Sequence, residues 1–188
     1  LSPPRLVGKH LEETKSSFLF IADIAVNKLR PLLEELKETQ TMKDIIICGM
    51  ADDAPAWKRP FFKIQLRKNK PEKDLLAGLT PWNSFLKKDE SVSKIPARSK
   101  DHRSVCAYLH SGGTTSEPKT IMLSDYNFNA IAYQGNQLLG YPLSEPAPYG
   151  KSMITVLPLF HGFGLCIGMH TCLINDIKVY LLPRFSAK

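Results

Sequence analysis

Residues 111–119 read Ser-Gly-Gly-Thr-Thr-Ser-Glu-Pro-Lys. Glycines let a backbone fold closely around an anion, the hydroxyls of Ser111, Thr114, Thr115 and Ser116 can donate to it, and Lys119 adds a positive charge. That combination suits phosphate binding. Counted from Gly113, the stretch is one residue away from the P-loop pattern G-x-x-x-x-G-K-[ST], with Pro118 in place of the second glycine. Proline lacks the N–H that the pattern needs as a donor, and its φ is held near about −65°. A P-loop lysine also opens a helix whose N-terminus faces the phosphates, whereas Lys119 runs into Thr120-Ile121-Met122-Leu123, a β-branched and extended sequence. The expected form is strand, loop, strand. From composition alone, a polar hairpin without a ligand stays open beside a phosphate-binding loop.

A second stretch with chemical content is Leu157-Pro158-Leu159-Phe160-His161-Gly162-Phe163-Gly164-Leu165. Taken alone, a histidine between a phenylalanine and a glycine is more often packed or capping than catalytic. His161, Cys166, His170 and Cys172 fall within twelve residues, but His-x4-Cys-x3-His-x-Cys is not a usual zinc spacing. A Cys-bearing apolar helix is the better reading there.

The elements that must position these residues alternate. Ser17 to Ile21 is a compact apolar run, a helical pattern follows from Ile24 to Leu36, and Asp44 to Cys48 is apolar again. Strand, helix, strand implies a parallel pair with a crossover. Pro31 predicts a kink or break near Arg30. Residues 51–101 lose periodicity and are read as an irregular, basic, largely superficial connection, apart from a short helix over 81–87 carrying Trp82 and Phe85. Arg103 to Leu109 predicts a strand entering the loop, and Thr120 to Leu123 the strand leaving it. Ser124 is placed to cap a helix over 125–139, with Gly140 as its stop. Ser152 to Leu157, a Gly-rich helix over 164–174 and Lys178 to Leu182 complete the pattern. The class is α/β.

With 188 residues, 43% hydrophobic and 23% charged, the chain can bury a core, which excludes disordered and collagen-like classes. No apolar run approaches a bilayer span, and Leu1 to His10, with two prolines and two basic residues, does not form a signal peptide. The four cysteines, Cys48, Cys106, Cys166 and Cys172, lie in apolar segments without paired spacing, so reduced, buried thiols and a cytoplasmic location are expected. The net charge of +7 and the basic run Lys58, Arg59, Lys63, Arg67, Lys68, Lys70 and Lys73 leave room for a non-enzymatic module that binds nucleic acid or anionic lipid. Without a recognisable nucleic-acid motif, a solvated face is the preferred reading and no nucleic acid is expected.

Tyr108 to Lys119 resembles the signature loop of the adenylate-forming, or AMP-binding, enzymes, T-S-G-T-T-G-x-P-K-G after a strand. Ser111 and Gly112 stand for Thr-Ser, Gly113-Thr114-Thr115 match outright, and Ser116 and Thr120 replace glycines. Met122-Leu123-Ser124-Asp125-Tyr126-Asn127-Phe128 is similar to the family's M-L-[ST]-H-x-N-[LF], with Asp125 departing from histidine. Leu157 to Leu165 resembles the L-P-x-F-H-x-x-G-[LF] segment of acyl- and aryl-CoA synthetases. The resemblance covers essentially the whole chain.

It implies an ATP-dependent acyl-CoA synthetase that converts a carboxylic acid, in the first instance a fatty acid, to acyl-AMP and then acyl-CoA. ATP, Mg2+ and coenzyme A are the implied cofactor and co-substrates. Ser111, Gly112, Gly113, Thr114, Thr115, Ser116 and Lys119 would hold the β- and γ-phosphates. His161, Gly162, Phe163 and Gly164 would lie where adenylate and acyl chain meet, with Phe163 as pocket wall. The implied architecture is an incomplete set of parallel-sheet βαβ units from the large adenylation domain: 1–50 a βαβ unit, 51–101 the connection, 102–188 the phosphate-loop and acyl-pocket unit. The chain is therefore expected to be an internal fragment without the C-terminal lid domain and its catalytic lysine, inactive by itself. Peripheral membrane contact is compatible with this reading. A P-loop ATPase or kinase fragment is the rival, and it requires a helix starting at Lys119.

Overall fold

The computed structural model of the protein describes residues 2–49, 51–66, 70–87, 101–111, 119–138, 140 and 151–182. They divide into two compact units, Leu1–Pro96 and Ala97–Lys188.

In the first unit, helix α1 (Pro4–Glu13) precedes strand β1 (Phe18–Ala22). Two 3-10 turns, Asp23–Ala25 and Asn27–Leu29, then lead into helix α2 (Arg30–Thr39) and strand β2 (Asp44–Cys48). β1 and β2 are parallel, in register from Phe18 against Asp44 to Ala22 against Cys48. This is the expected βαβ unit. The predicted break near Arg30 is the start of α2 itself, where Pro31 costs nothing because first-turn N–H groups have no intrahelical partner. Ile21, Val26, Leu29, Leu33 and Ile45 form the core of the unit.

The stretch 51–101 departs from the irregular connection expected of it. It contains helices α3 (Arg59–Leu66) and α4 (Lys73–Leu76) and strand β3 (Thr80–Pro81), which adds to β2 in parallel, besides α5 (Trp82–Lys87), which matches the helix expected over 81–87. Leu75 and Leu79 are buried in the core with α2. A four-residue helix is too short to show a period, so two leucines among lysines gave no signal. Arg30 braces α2 against α4 by reaching Asp74 at 3.3 Å and Glu72 at the cap of α4, and it also pairs with Glu34 of its own helix at 3.2 Å. Lys37 Nζ donates to the Leu75 carbonyl at 2.9 Å, close to where α4 ends.

The second unit opens with an antiparallel hairpin, β4 (Val105–His110) and β5 (Thr120–Ser124), paired from Tyr108 against Met122 to His110 against Thr120. Helix α6 (Asp125–Leu138) follows directly, and Gly140 sits beyond its end at φ +73°, where glycine is favoured. Strand β6 (Ser152–Thr155) and strand β7 (Lys178–Leu181) are parallel, joined through a helical segment. This second βαβ unit confirms the α/β class. Its helix spans the expected 164–174 in two parts: Gly164–Thr171 is π-helical, followed by a short helix α7 (Cys172–Ile174). It packs on α6, whose Phe128, Ala132 and Asn136 are buried.

The expectation of four buried thiols is corrected. Cys172 is buried, Cys48 and Cys166 are half-buried, and Cys106 is exposed. Among the described residues no helix is long and apolar enough to cross a membrane.

Candidate functional site

The site is built on the end of the β4–β5 hairpin. Ser111 N–H donates to the Lys119 carbonyl at 2.9 Å, and Lys119 N–H donates to Ser111 Oγ at 2.9 Å. One rung inward, His110 Nδ1 and Thr120 Oγ1 are 3.3 Å apart. These bonds close the hairpin across its loop. Gly112, Gly113, Thr114, Thr115 and Ser116 lie outside the described residues, as does Pro118. Lys119 is exposed, and with its backbone committed to the closing rung its ammonium is the group left to meet an anion. It leads into a strand, so the helix that a P-loop requires is not there.

The strand passes to α6 through a reciprocal cap. Ser124 N–H and its hydroxyl donate to Asn127 Oδ1 at 2.9 and 3.0 Å, while Asn127 N–H reaches Ser124 Oγ at 3.4 Å. Ser124 was legible as a cap; Asn127 was not, because it stands where a capping box carries Glu or Gln. Tyr126 N–H donates to the His102 carbonyl at 2.9 Å, fastening the start of α6 beside the entry to β4. The hairpin is thereby fixed to the helix that follows it.

His161 sits in the turn before the π-helix. Its N–H donates to the Pro158 carbonyl at 3.0 Å, and its carbonyl accepts from Leu165 N–H at 2.9 Å. Its Nδ1 accepts from Phe163 N–H at 3.3 Å, which assigns the ring proton of the neutral form to Nε2. The ring is exposed, as are Phe160 and Phe163. Thus the histidine caps through one nitrogen and keeps the other for a partner. A Cβ on Gly162 would lie 3.7 Å from Leu109 Cδ1, so this turn abuts β4, the strand that ends at His110. Within the second unit, the His161 turn and the end of β4 are therefore neighbours.

At Gly164 the packing of the chain itself requires a glycine. A Cβ there would be 2.1 Å from the Pro158 carbonyl oxygen, so the chain itself fills the space. Gly168, which sequence reasoning passed over, would place a Cβ 2.6 Å from Thr155 Cγ2. Its signal was the four-residue spacing of glycines on an apolar helix, a pattern that allows close approach. Another missed pair is His170 Nε2 with Asn129 Oδ1 at 3.0 Å, which joins the π-helix to α6.

The four zinc candidates do not converge. His161 contacts Phe163, His170 contacts Asn129, and the Cys172 thiol lies 3.4 Å from Met153 Sδ. Burial pushes the Cys166 and Cys172 thiols above their ordinary pKa, against thiolate formation. Among the described residues no group of three His, Cys, Asp or Glu side chains is arranged to hold a metal ion, so no magnesium ligand is assigned to this stretch. A cavity of about 900 Å³ is found in the first unit, lined by α1 and α2 residues that include Arg5, Lys9, Glu12 and Glu35; it contains none of the motif residues.

The profile described as AMP-binding enzyme matches residues 1–188, and the chain belongs to that family. It is 34% identical over 119 residues to "Probable CoA ligase CCL9" of Humulus lupulus, a match spanning 62% of this chain and 21% of that protein. With "Long-chain-fatty-acid--CoA ligase" of Bacillus subtilis (strain 168) it shares 25% identity over 165 residues, 87% of this chain and 29% of the relative. Its fold is similar to the crystal structure of the anthranilate CoA ligase AuaEII in complex with anthranoyl-AMP, with a TM-score of 0.65 and 17% identity. That likeness covers 98% of this chain and 29% of the other. The chain thus spans less than a third of the length of each of these relatives.

Proposed function

We propose that the chain is the phosphate-loop portion of an ATP-dependent acyl-CoA synthetase, acting on a carboxylic acid and, within that class, on a fatty acid. The observation that carries this reading is the hairpin closed by Ser111 and Lys119 beside the His161 turn, in a chain of the AMP-binding family. The relatives named as CoA ligases support the acceptor thiol, and the Bacillus relative supports a fatty acyl group.

The reaction joins a carboxylate oxygen to the α-phosphorus of ATP as pyrophosphate leaves; the thiol of coenzyme A then displaces AMP from the acyl carbon. Negative charge grows on the departing pyrophosphate, so fixed donors and a cation placed there lower the barrier. In this reading the backbone of Gly112 and Gly113, the hydroxyls of Ser111, Thr114, Thr115 and Ser116, and the Lys119 ammonium receive the β- and γ-phosphates. Magnesium would neutralise phosphate charge. His161 offers its Nε2–H at the junction of adenylate and acyl chain, with Gly162, Phe163 and Gly164 shaping the turn that presents it. A cytoplasmic location fits this reading, and the partners are the small molecules carboxylate, ATP and coenzyme A.

The test uses the complete gene product with ATP, magnesium, coenzyme A and carboxylates from short to long. Acid-dependent pyrophosphate release and thioester formation are expected, with Lys119→Met lowering kcat/KM by about a hundredfold, the scale for losing a preorganised charge donor. Absence of pyrophosphate release with every acid would sink the reading. The 188-residue chain alone is expected to show no turnover.

A further inference from the structure

The basic stretch that begins at Lys58 is not absorbed by the phosphate-loop reading, and the structure gives it a second property. Trp57, Phe61 and Ile64 are 76%, 68% and 62% exposed. Their spacing, four residues and then three, puts them on one side of α3 and of the turn that enters it. Lys58 and Arg59 lie beside them. Lys58 Nζ stands 4.8 Å from the centre of the Trp57 ring, and Arg59 Nε donates to the Ala54 carbonyl at 3.0 Å. Neither is in an ion pair among the described residues. The acidic groups that follow in sequence, Glu72 and Asp74, are occupied by Arg30, and Asp52 accepts the Gly49 N–H at 2.7 Å. Asp53 is the exposed acid nearest in sequence. The surface is therefore apolar along its ridge and positive at its flank.

No other described element packs extensively on α3. An eight-residue helix is marginal in water without tertiary cover, and three large apolar side chains in a row gain nothing from solvent. Another aromatic group in this unit differs in kind: exposed Phe20 packs with half-buried Trp82 and Phe85, with ring centres 5.6 to 6.3 Å apart.

We propose that the turn at Trp57 and helix α3 form a docking surface for an anionic lipid bilayer, with Trp57, Phe61 and Ile64 entering the acyl boundary and Lys58 and Arg59 on the headgroups. Aromatic and aliphatic side chains on one face with Lys and Arg beside them match the chemistry of an interface between hydrocarbon and negative headgroups. A nucleic acid backbone would satisfy the charges but leave the apolar ridge in water. The proposal does not depend on the ligase reading.

Vesicle flotation of the 188-residue chain tests it, comparing phosphatidylcholine with phosphatidylcholine containing phosphatidylserine. Anionic vesicles are expected to hold the chain about tenfold more tightly or better, from two basic residues near a negative surface. The variant Trp57→Ser/Phe61→Ser/Ile64→Ser is expected to lose retention, and Lys58→Gln/Arg59→Gln to lose the preference for anionic lipid. In a Trp82→Phe background Trp57 is the single tryptophan, and its emission should shift to the blue on adding anionic vesicles. If the triple variant does not fold, the charge variant and the Trp57 emission still decide. Equal retention by both vesicle types, or retention unchanged in the triple variant, overturns the proposal. So does an unshifted Trp57 emission. A dimer that the triple variant disperses, without vesicle binding, would assign the surface to a second copy. Salt-sensitive binding of duplex DNA that survives the triple variant, again without vesicle binding, would assign it to nucleic acid.

Discussion

A methyl group on Gly168 would come within 2.6 Å of Thr155 Cγ2, and one on Gly164 within 2.1 Å of the Pro158 carbonyl oxygen. The two glycines let the π-helix lie directly against β6 and the turn that carries His161. Gly168→Ala is expected to cost about 1–3 kcal/mol, the scale for overpacking a tight contact. Thr155→Ser removes the offending methyl yet keeps the hydroxyl that donates to the Gly168 carbonyl at 3.2 Å. In urea denaturation the double variant should therefore be more stable than the sum of the single effects, by a coupling of about 0.5 kcal/mol or more. Gly164→Ala meets a backbone oxygen, so no side-chain change should rescue it in the same way. A strictly additive Gly168 and Thr155 pair would show that this contact does not set the helix position.

At the level of elements, α4 contributes to the core through Leu75, which is 1% exposed. Leu75→Ala should destabilise by about 2–5 kcal/mol, as for other truncated core leucines. Phe61→Ala, on the exposed side of α3, should change stability by less than about 0.5 kcal/mol. Denaturation midpoints of the two variants compare them directly, and equal effects would contradict the packing of 73–79 on α2. The brace between these helices also predicts a pH response. Partial desolvation alone would raise the Asp74 pKa, but its backbone hydrogen bonds and the Arg30 charge outweigh it and hold the carboxyl below its ordinary value. The folded form thus has the lower pKa, so this contribution is present in full above the ordinary carboxylate range and is lost as pH falls through it. Melting temperature measured against pH should fall less steeply on acidification in Arg30→Met than in the parent chain. A parallel pair of curves would mean that the ion pairs add nothing.

For the molecule as a whole, thiol accessibility offers a map that spans both units. Cys106 is exposed, whereas desolvation pushes the Cys48 thiol up, with the carboxylates of Asp52, Asp23 and Asp53 adding to it, and desolvation raises Cys166 and Cys172. A thiol-specific reagent at neutral pH should modify Cys106 fastest and Cys172 slowest, and Cys106→Ser should remove the fast phase. A fast phase that survives that substitution would contradict the placement of β4. Much of the fold was legible because it rests on local regularities: apolar runs for β1 and β2, Pro31 at the start of α2, the Ser124 cap, and Pro118 with the extended Thr120 to Leu123 in place of a P-loop helix. The spacing of the two chemical motifs was readable in the same way, since a loop's backbone demands and donor types are written in consecutive positions, while the roles given to their residues came from the family resemblance. Tertiary structure decided what depends on neighbours distant in sequence. Leu75 is core because α2 lies over it, Gly164 and Gly168 are needed because Pro158 and Thr155 press on them, and Cys106 is exposed because its strand lies in a two-stranded hairpin. The nearness of the His161 turn to the end of β4 is likewise set by packing, because no periodicity in either segment encodes the distance between them.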